Sequence, residues 1–182
     1  MNSRVSELAK SAPALRVQLT KRPDGGAVLR AVRRDGSVTW QRQDGPRAMF
    51  FPFHDLTHFA VETTLGIAQG FYGLLAAGWD IGDTEGKGAR GALPPETIFA
   101  EHIVGLFDRE RVGGAPPLTA AEFNDLVDQL LASKRIQLSR SFTDAELVAV
   151  RHGIDDLHRQ WAELAPGGVL DLSFELSASS PR

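Results

Sequence analysis

The chain contains no cysteine. That absence excludes disulfides, thiolate-bound zinc, iron–sulfur clusters and thiol nucleophiles together, so any metal site must be built from His, Asp and Glu. Long hydrophobic runs are missing too. The longest apolar region, Leu65 to Trp79, is interrupted by Gln69 and several glycines, and it falls short of the ~20 residues a helix needs to cross a bilayer. The opening residues Met1-Asn2-Ser3-Arg4-Val5-Ser6-Glu7 lack the apolar core of a secretory signal. No dense basic run, Gly-x-Ser-x-Gly elbow or dinucleotide fingerprint is present. These absences lead to the expectation of a soluble, cytoplasmic protein with no membrane partner.

What is present suits one ordinary globular domain. The 182 residues are 42% hydrophobic and 24% charged, enough to bury a substantial core without staples. Residues 1–182 read as a single domain, with residues 1–14 and 177–182 as flexible ends. The net charge of −3 is unevenly spread, since residues 1–50 carry +6 and the rest −9. A basic third can attract nucleic acid, but here the basic residues alternate with Asp and turn residues. Self-complementarity, within one chain or in a homo-oligomer, is the preferred reading, and nucleic acid ranks last. The remaining partner expected is an unidentified small molecule or protein.

Punctuation divides the chain into elements. A short helix is expected over residues 5–11. Arg16–Lys21, Ala27–Arg33 and Ser37–Arg42 alternate as strands, joined at Pro23-Asp24-Gly25-Gly26 and Asp35-Gly36. Pro52 suits a helix start, and one helix is predicted over 53–77, with Gly66, Gly70 and Gly73 allowing close backbone approach. Residues 80–94 read as a long loop and a candidate lid. It is not a phosphate loop, because its glycine spacing is wrong and Gly88 stands where Ser or Thr belongs. A helix from Glu96 to about Glu110 follows. Thr119-x-x-Glu122 and Thr143-x-x-Glu146 are capping boxes that start two more, to about Ala132 and Leu164. Val169 to Leu176 alternates as a last strand. The expected fold class is α+β, a small antiparallel sheet (N-terminal meander plus C-terminal strand) packed against about four helices. Trp40, Phe71, Tyr72, Trp79 and Phe99 are assigned to the core, and His152 and His158 to a solvated face.

The segment Phe53-His54-Asp55-Leu56-Thr57-His58-Phe59-Ala60-Val61-Glu62 stands apart. On a helix His54, His58 and Glu62 share one stripe, with Asp55 beside it. Two imidazoles one turn apart form a bidentate site for a borderline metal such as zinc. Residues eight apart rise ~12 Å, so Glu62 joins both histidines on one ion only if the helix starts irregularly. Otherwise Glu62 orients His58 through its other ring nitrogen. A further ligand must come from elsewhere, and Glu101 is the first choice, with His102 pointing about 100° away on the same helix.

His54-Asp55-x-x-His58 resembles the HExxH motif of the zincin metalloproteases, with Asp in the place of Glu. It is also similar to the His-Asp-x-x-His motif of the ubiquinone-biosynthesis zinc protein family, although Gln69-Gly70-Phe71 stand where that family has a Glu. Each resemblance covers some five residues. The zincin resemblance implies zinc on His54 and His58, and Asp55 as general base. The expectation is therefore a divalent-metal site, zinc first, on His54, His58, Glu62 and Glu101, with Asp55 catalytic, in a hydrolase-like enzyme. The alternative is a non-catalytic structural or protein-interaction domain whose His/Asp/Glu cluster holds helix to helix.

Overall fold

Period-two burial builds the sheet. In β1 (Leu15–Lys21) and β2 (Ala27–Arg33), Leu15, Val17, Leu19, Ala27, Leu29 and Ala31 are all buried on one face. The intervening residues face outward. β3 (Val38–Arg42) and β4 (Val169–Phe174) complete an antiparallel sheet in the order β3-β2-β1-β4. Register pairs Leu19 with Leu29 across one interface of β1 and with Leu170 across the other, so apolar side chains meet on the same face. Of the residues assigned to the core, Trp79 is only partly buried and Trp40 lies outside. It pairs with Arg30 on the outer face and is 64% exposed, because alternation puts its neighbour Thr39 inside. This computed structural model describes residues 14–86, 90–113 and 116–175. The helix expected over 5–11 lies outside them, as does the end of the chain from residue 176.

Among the described residues there are five helices: α1 (Phe51–Leu65), α2 (Phe71–Ala76), α3 (Pro95–Gly113), α4 (Ala120–Lys134) and α5 (Asp144–Glu163), of which α1, α2 and the end of α5 cover the inner face of the sheet. The fold is α+β, as its sequence pattern indicates. Both capping boxes form, with the Thr119 and Thr143 hydroxyls accepting from the backbone N–H of Glu122 and Glu146. The single helix predicted over 53–77 is instead two. Gly66 adopts the left-handed region at φ 66° and ψ 35°, and the Ile67 N–H closes on the Glu62 carbonyl at 3.0 Å, ending α1. The loop after α2 also carries structure, a 3-10 turn over Ile81–Glu85 whose Ile81 is buried.

α1 is the hub. Leu56 and Phe59 pack against the sheet with Tyr72, Leu75, Trp161 and Phe174. Ala60, Val61 and Leu65 pack against α3, α4 and α5 through Phe99, Ile103, Val104, Phe123, Val150 and Ile154. A helix enclosed on nearly all sides is normally apolar throughout. This one buries Asp55, Thr57, His58 and Glu62 as well. Each of those groups needs a partner, because an unmatched buried polar group costs about 1–3 kcal/mol.

Candidate metal centre

The two histidines of α1 sit side by side, ring centroids 4.8 Å apart at an interplanar angle of 85°. Each has a carboxylate behind it. His58 Nδ1 is 3.1 Å from Glu62 Oε1, and His54 Nδ1 is 2.7 Å from Asp108 Oδ2. An ionised carboxylate only accepts, so both rings carry a proton on Nδ1 and turn Nε2 outward. That is how metal-binding histidines are oriented. His58 Nε2 faces Glu101 of α3, with Oε1 at 3.5 Å. His54, His58 and Glu101 each offer a ligand atom, all within 4.8 Å of one another. A tetrahedral ion with bonds of about 2.1 Å holds its ligand atoms about 3.4 Å apart. The Glu101 side chain is 45% exposed, so it is free to swing the remaining ångström or so inward.

Glu62 stands behind His58 and outside the group whose ligand atoms lie within 4.8 Å of one another. α1 starts regularly, with Phe50 already in the right-handed helical region, so His54 and Glu62 stay two turns apart. Both Glu62 oxygens are also engaged. Oε1 meets His58, while Oε2 accepts from the backbone N–H of Tyr72 at 2.9 Å and of Gly73 at 3.2 Å. Gly70 makes this possible, since a Cβ there would stand 2.3 Å from Glu62 Cδ. The close approach expected of that glycine is thus to a side chain, across the break between α1 and α2.

Glu101 lies at the cavity edge of α3, not on its buried face. The buried face of α3 is Phe99, Ala100, Ile103, Val104 and Phe107. His102 is half-buried towards Leu126 and Leu130, away from the centre, as its 100° offset requires. Asp108 is the residue that motif reading misses. It follows Glu101 by seven positions, two helical turns, so the two acids form a stripe on α3 facing the histidine stripe of α1. That spacing gains its meaning only from the packing of α3 against α1. His158 is also not on a solvated face. It is half-buried, with Nε2 at 2.9 Å from the Phe53 carbonyl and 3.3 Å from the Thr57 hydroxyl.

The charges are tuned by this setting. Burial pulls the His58 imidazolium down, but Glu101 and Glu62 more than offset it and raise its pKa to about 10. Burial pushes the Glu62 carboxyl upward, against the pull of His58 and the two N–H donors. Partial burial also works upward on Asp108, yet the His54 hydrogen bond and charge, Arg111 and the Thr57 hydroxyl together outweigh it and the group falls below its ordinary value. Asp55 lies fully buried beside both histidines and receives a hydrogen bond from Gln43 Nε2. Burial lifts its pKa to about 6, against the opposing charges of His54 and His58.

These groups open onto one cavity of about 490 Å³, within the range of about 300–1,000 Å³ found for small-ligand sites. His54, His58, Asp55 and Glu101 line it together with Phe51, Phe71, Gln41 and Gln43. Ile81, Thr84, Glu85 and Leu93 line it too, so the segment read as a candidate lid does border the histidines. No helix among the described residues is long and apolar enough to cross a membrane. Comparison of the chain with protein-family models, curated proteins and solved structures finds no match in any of the three.

Proposed function

We propose that this protein is a small metal-dependent enzyme of hydrolytic type, with one divalent ion, zinc first, held by His54 Nε2, His58 Nε2 and Glu101. The observation that carries the reading is the double carboxylate backing. Two Nδ1 atoms are held by Asp108 and Glu62, two Nε2 atoms turn towards one further carboxylate, and all of it lies in the wall of a cavity. Two histidines and a Glu, with positions left open, form a donor set used by catalytic zinc. When bound, zinc lowers the pKa of a coordinated water to near 7 and polarises an acyl oxygen.

The chain's own residues supply the rest. Asp55 is a carboxylate in the same cavity wall and is positioned to hold a proton taken from the nucleophile. Gln43 fixes its orientation. Phe51 and Phe71 exclude water from one side of the cavity.

A second reading is favoured by one specific observation. A protonated His58 bridges Glu62 and Glu101 and satisfies the buried cluster without an ion. The protein would then be a non-catalytic domain in which this cluster ties α1 to α3. Elemental analysis of protein purified without a His-tag separates the two. Near-stoichiometric metal that disappears in the His54→Ala, His58→Ala double variant supports the enzyme reading. Metal content unchanged in the double variant removes the site, and a wild-type protein that takes up no metal leaves the bridging histidine.

A further inference from the structure

The cavity over the histidines carries more carboxylates than cationic groups. Asp55, Glu85 and Glu101 put three carboxylates on its wall, and among the described residues no Lys or Arg lines it. The Thr84 hydroxyl is taken up within its own turn, donating to the Ile81 carbonyl at 2.7 Å. Gln43 sharpens the imbalance. The residue is 4% exposed, its Nε2 donates to Asp55, and its Oε1 is buried with no hydrogen-bond partner among the described residues. The contact with Asp55 fixes which end of the amide is which, because a carboxylate accepts only from the NH₂ side. A buried carbonyl without a donor is rare in folded proteins and calls for an explanation. The oxygen has almost no exposed surface, so the donor it lacks reaches it only as an entering ligand displaces the side chains over it. The rings of Phe51 and Phe71 add apolar wall, and ring faces attract cations.

We propose that the cavity takes a small amine: a compound whose N–H groups meet the wall carboxylates and the Gln43 carbonyl, whose apolar part lies on Phe51 and Phe71, and whose charge is positive or zero. Carboxylated and phosphorylated compounds are rejected, since even with a divalent ion in place the three carboxylates outnumber its charge. The inference rests on the metal-centre reading only for what is done to the ligand; binding itself needs no ion.

Calorimetric titration of the full chain with phenethylamine, phenylacetate and phenyl phosphate, at pH 7.5 and low salt, tests it in zinc-free and zinc-treated protein. Phenethylammonium is expected to bind at least tenfold more tightly than either anion in both states. Glu85→Lys, at an exposed position, is expected to weaken amine binding tenfold or more and to admit phenyl phosphate, with an unchanged circular dichroism spectrum. Equal or tighter binding of an anion by the wild type overturns the proposal, as does a preference untouched by Glu85→Lys. No binding of any probe overturns it while leaving intact a metal centre that still retains zinc. Amine binding by a protein that takes up no zinc keeps this proposal and removes the metal reading.

Discussion

Glu62→Gln is the smallest change that separates a built metal centre from two neighbouring histidines. The Tyr72 and Gly73 N–H groups both donate to Glu62 Oε2, at 2.9 and 3.2 Å. In the variant the amide oxygen must take that place, since the other rotamer drives an NH₂ against two donors. The NH₂ then stands where Oε1 was, 3.1 Å from His58 Nδ1, and donates to it. His58 must answer with a lone pair on Nδ1, which moves its ring proton to Nε2, the atom needed by the metal. Loss of a supporting carboxylate alone lowers metal affinity about 10–100-fold, equal to about 1.4–2.7 kcal/mol. Reversal of the tautomer puts the expected effect at the upper end of that range. Zinc competition against a chromophoric chelator measures the affinity, and the ¹⁵N shifts of His58 report the tautomer. Thermal unfolding checks that the shape-conserving variant still folds. Wild-type affinity, with the proton still on Nδ1, would refute the reasoning.

Three further outcomes are expected. Glu101→Gln should raise the zinc dissociation constant at least tenfold, and in zinc-free protein it should also lower stability, because it removes one of the two carboxylates that hold the His58 imidazolium; unchanged affinity would exclude Glu101 and leave α3 only packing against α1. Gly70→Ala should place a Cβ 2.6 Å from Glu62 Oε2, costing about 1–3 kcal/mol as overpacking does, and it should weaken zinc binding as well; an unshifted melting temperature would show that the carboxylate is not under Gly70. The last concerns pH. The folded His58 pKa of about 10 stands above its ordinary value of 6.5, so its stabilising contribution is fully present below pH 6.5 and is lost as pH rises through 10. The urea midpoint of zinc-free protein should fall across that window, whereas zinc-loaded protein, with an ion in the proton's place, should fall less. A flat profile without zinc would mean that His58 is neutral.

Elements marked by local chemistry were legible in the sequence. The capping boxes at Thr119 and Thr143 place the starts of α4 and α5 because each motif satisfies its own backbone donors, whatever packs nearby. The meander follows from alternation and two turn signals. The break at Gly66 was harder to read. The apolar pattern runs on through Ile67 and Phe71, and only the choice of a left-handed backbone at Gly66 turns the chain. That choice is settled by tertiary contacts, chiefly the return of α2 over Glu62. Trp40 fails for a related reason, since its size argues for burial but the register of β3 gives the inner face to Thr39.

The candidate site divides along the same line. His54, His58 and Asp55 are visible because they fall within one helical turn, and spacing along a helix is a property of sequence alone. Glu101 is a first choice for the further ligand, since it is a carboxylate within Ile98-Phe99-Ala100-Glu101-His102-Ile103-Val104. Asp108 and Gln43 are not reached, and the reason is physical. Each acts on a residue of α1 from another element, at separations of 54 and 12 positions, and nothing local marks either one. Asp108 looks like any acid among Phe107-Asp108-Arg109-Glu110 until α3 is laid against α1. Only then does its spacing from Glu101 mean that two acidic turns face two basic ones. The supporting groups decide which ring nitrogen is free, and hence whether the pair can hold an ion. The motif proposes a metal; the residues that would make it bind one come from outside the motif.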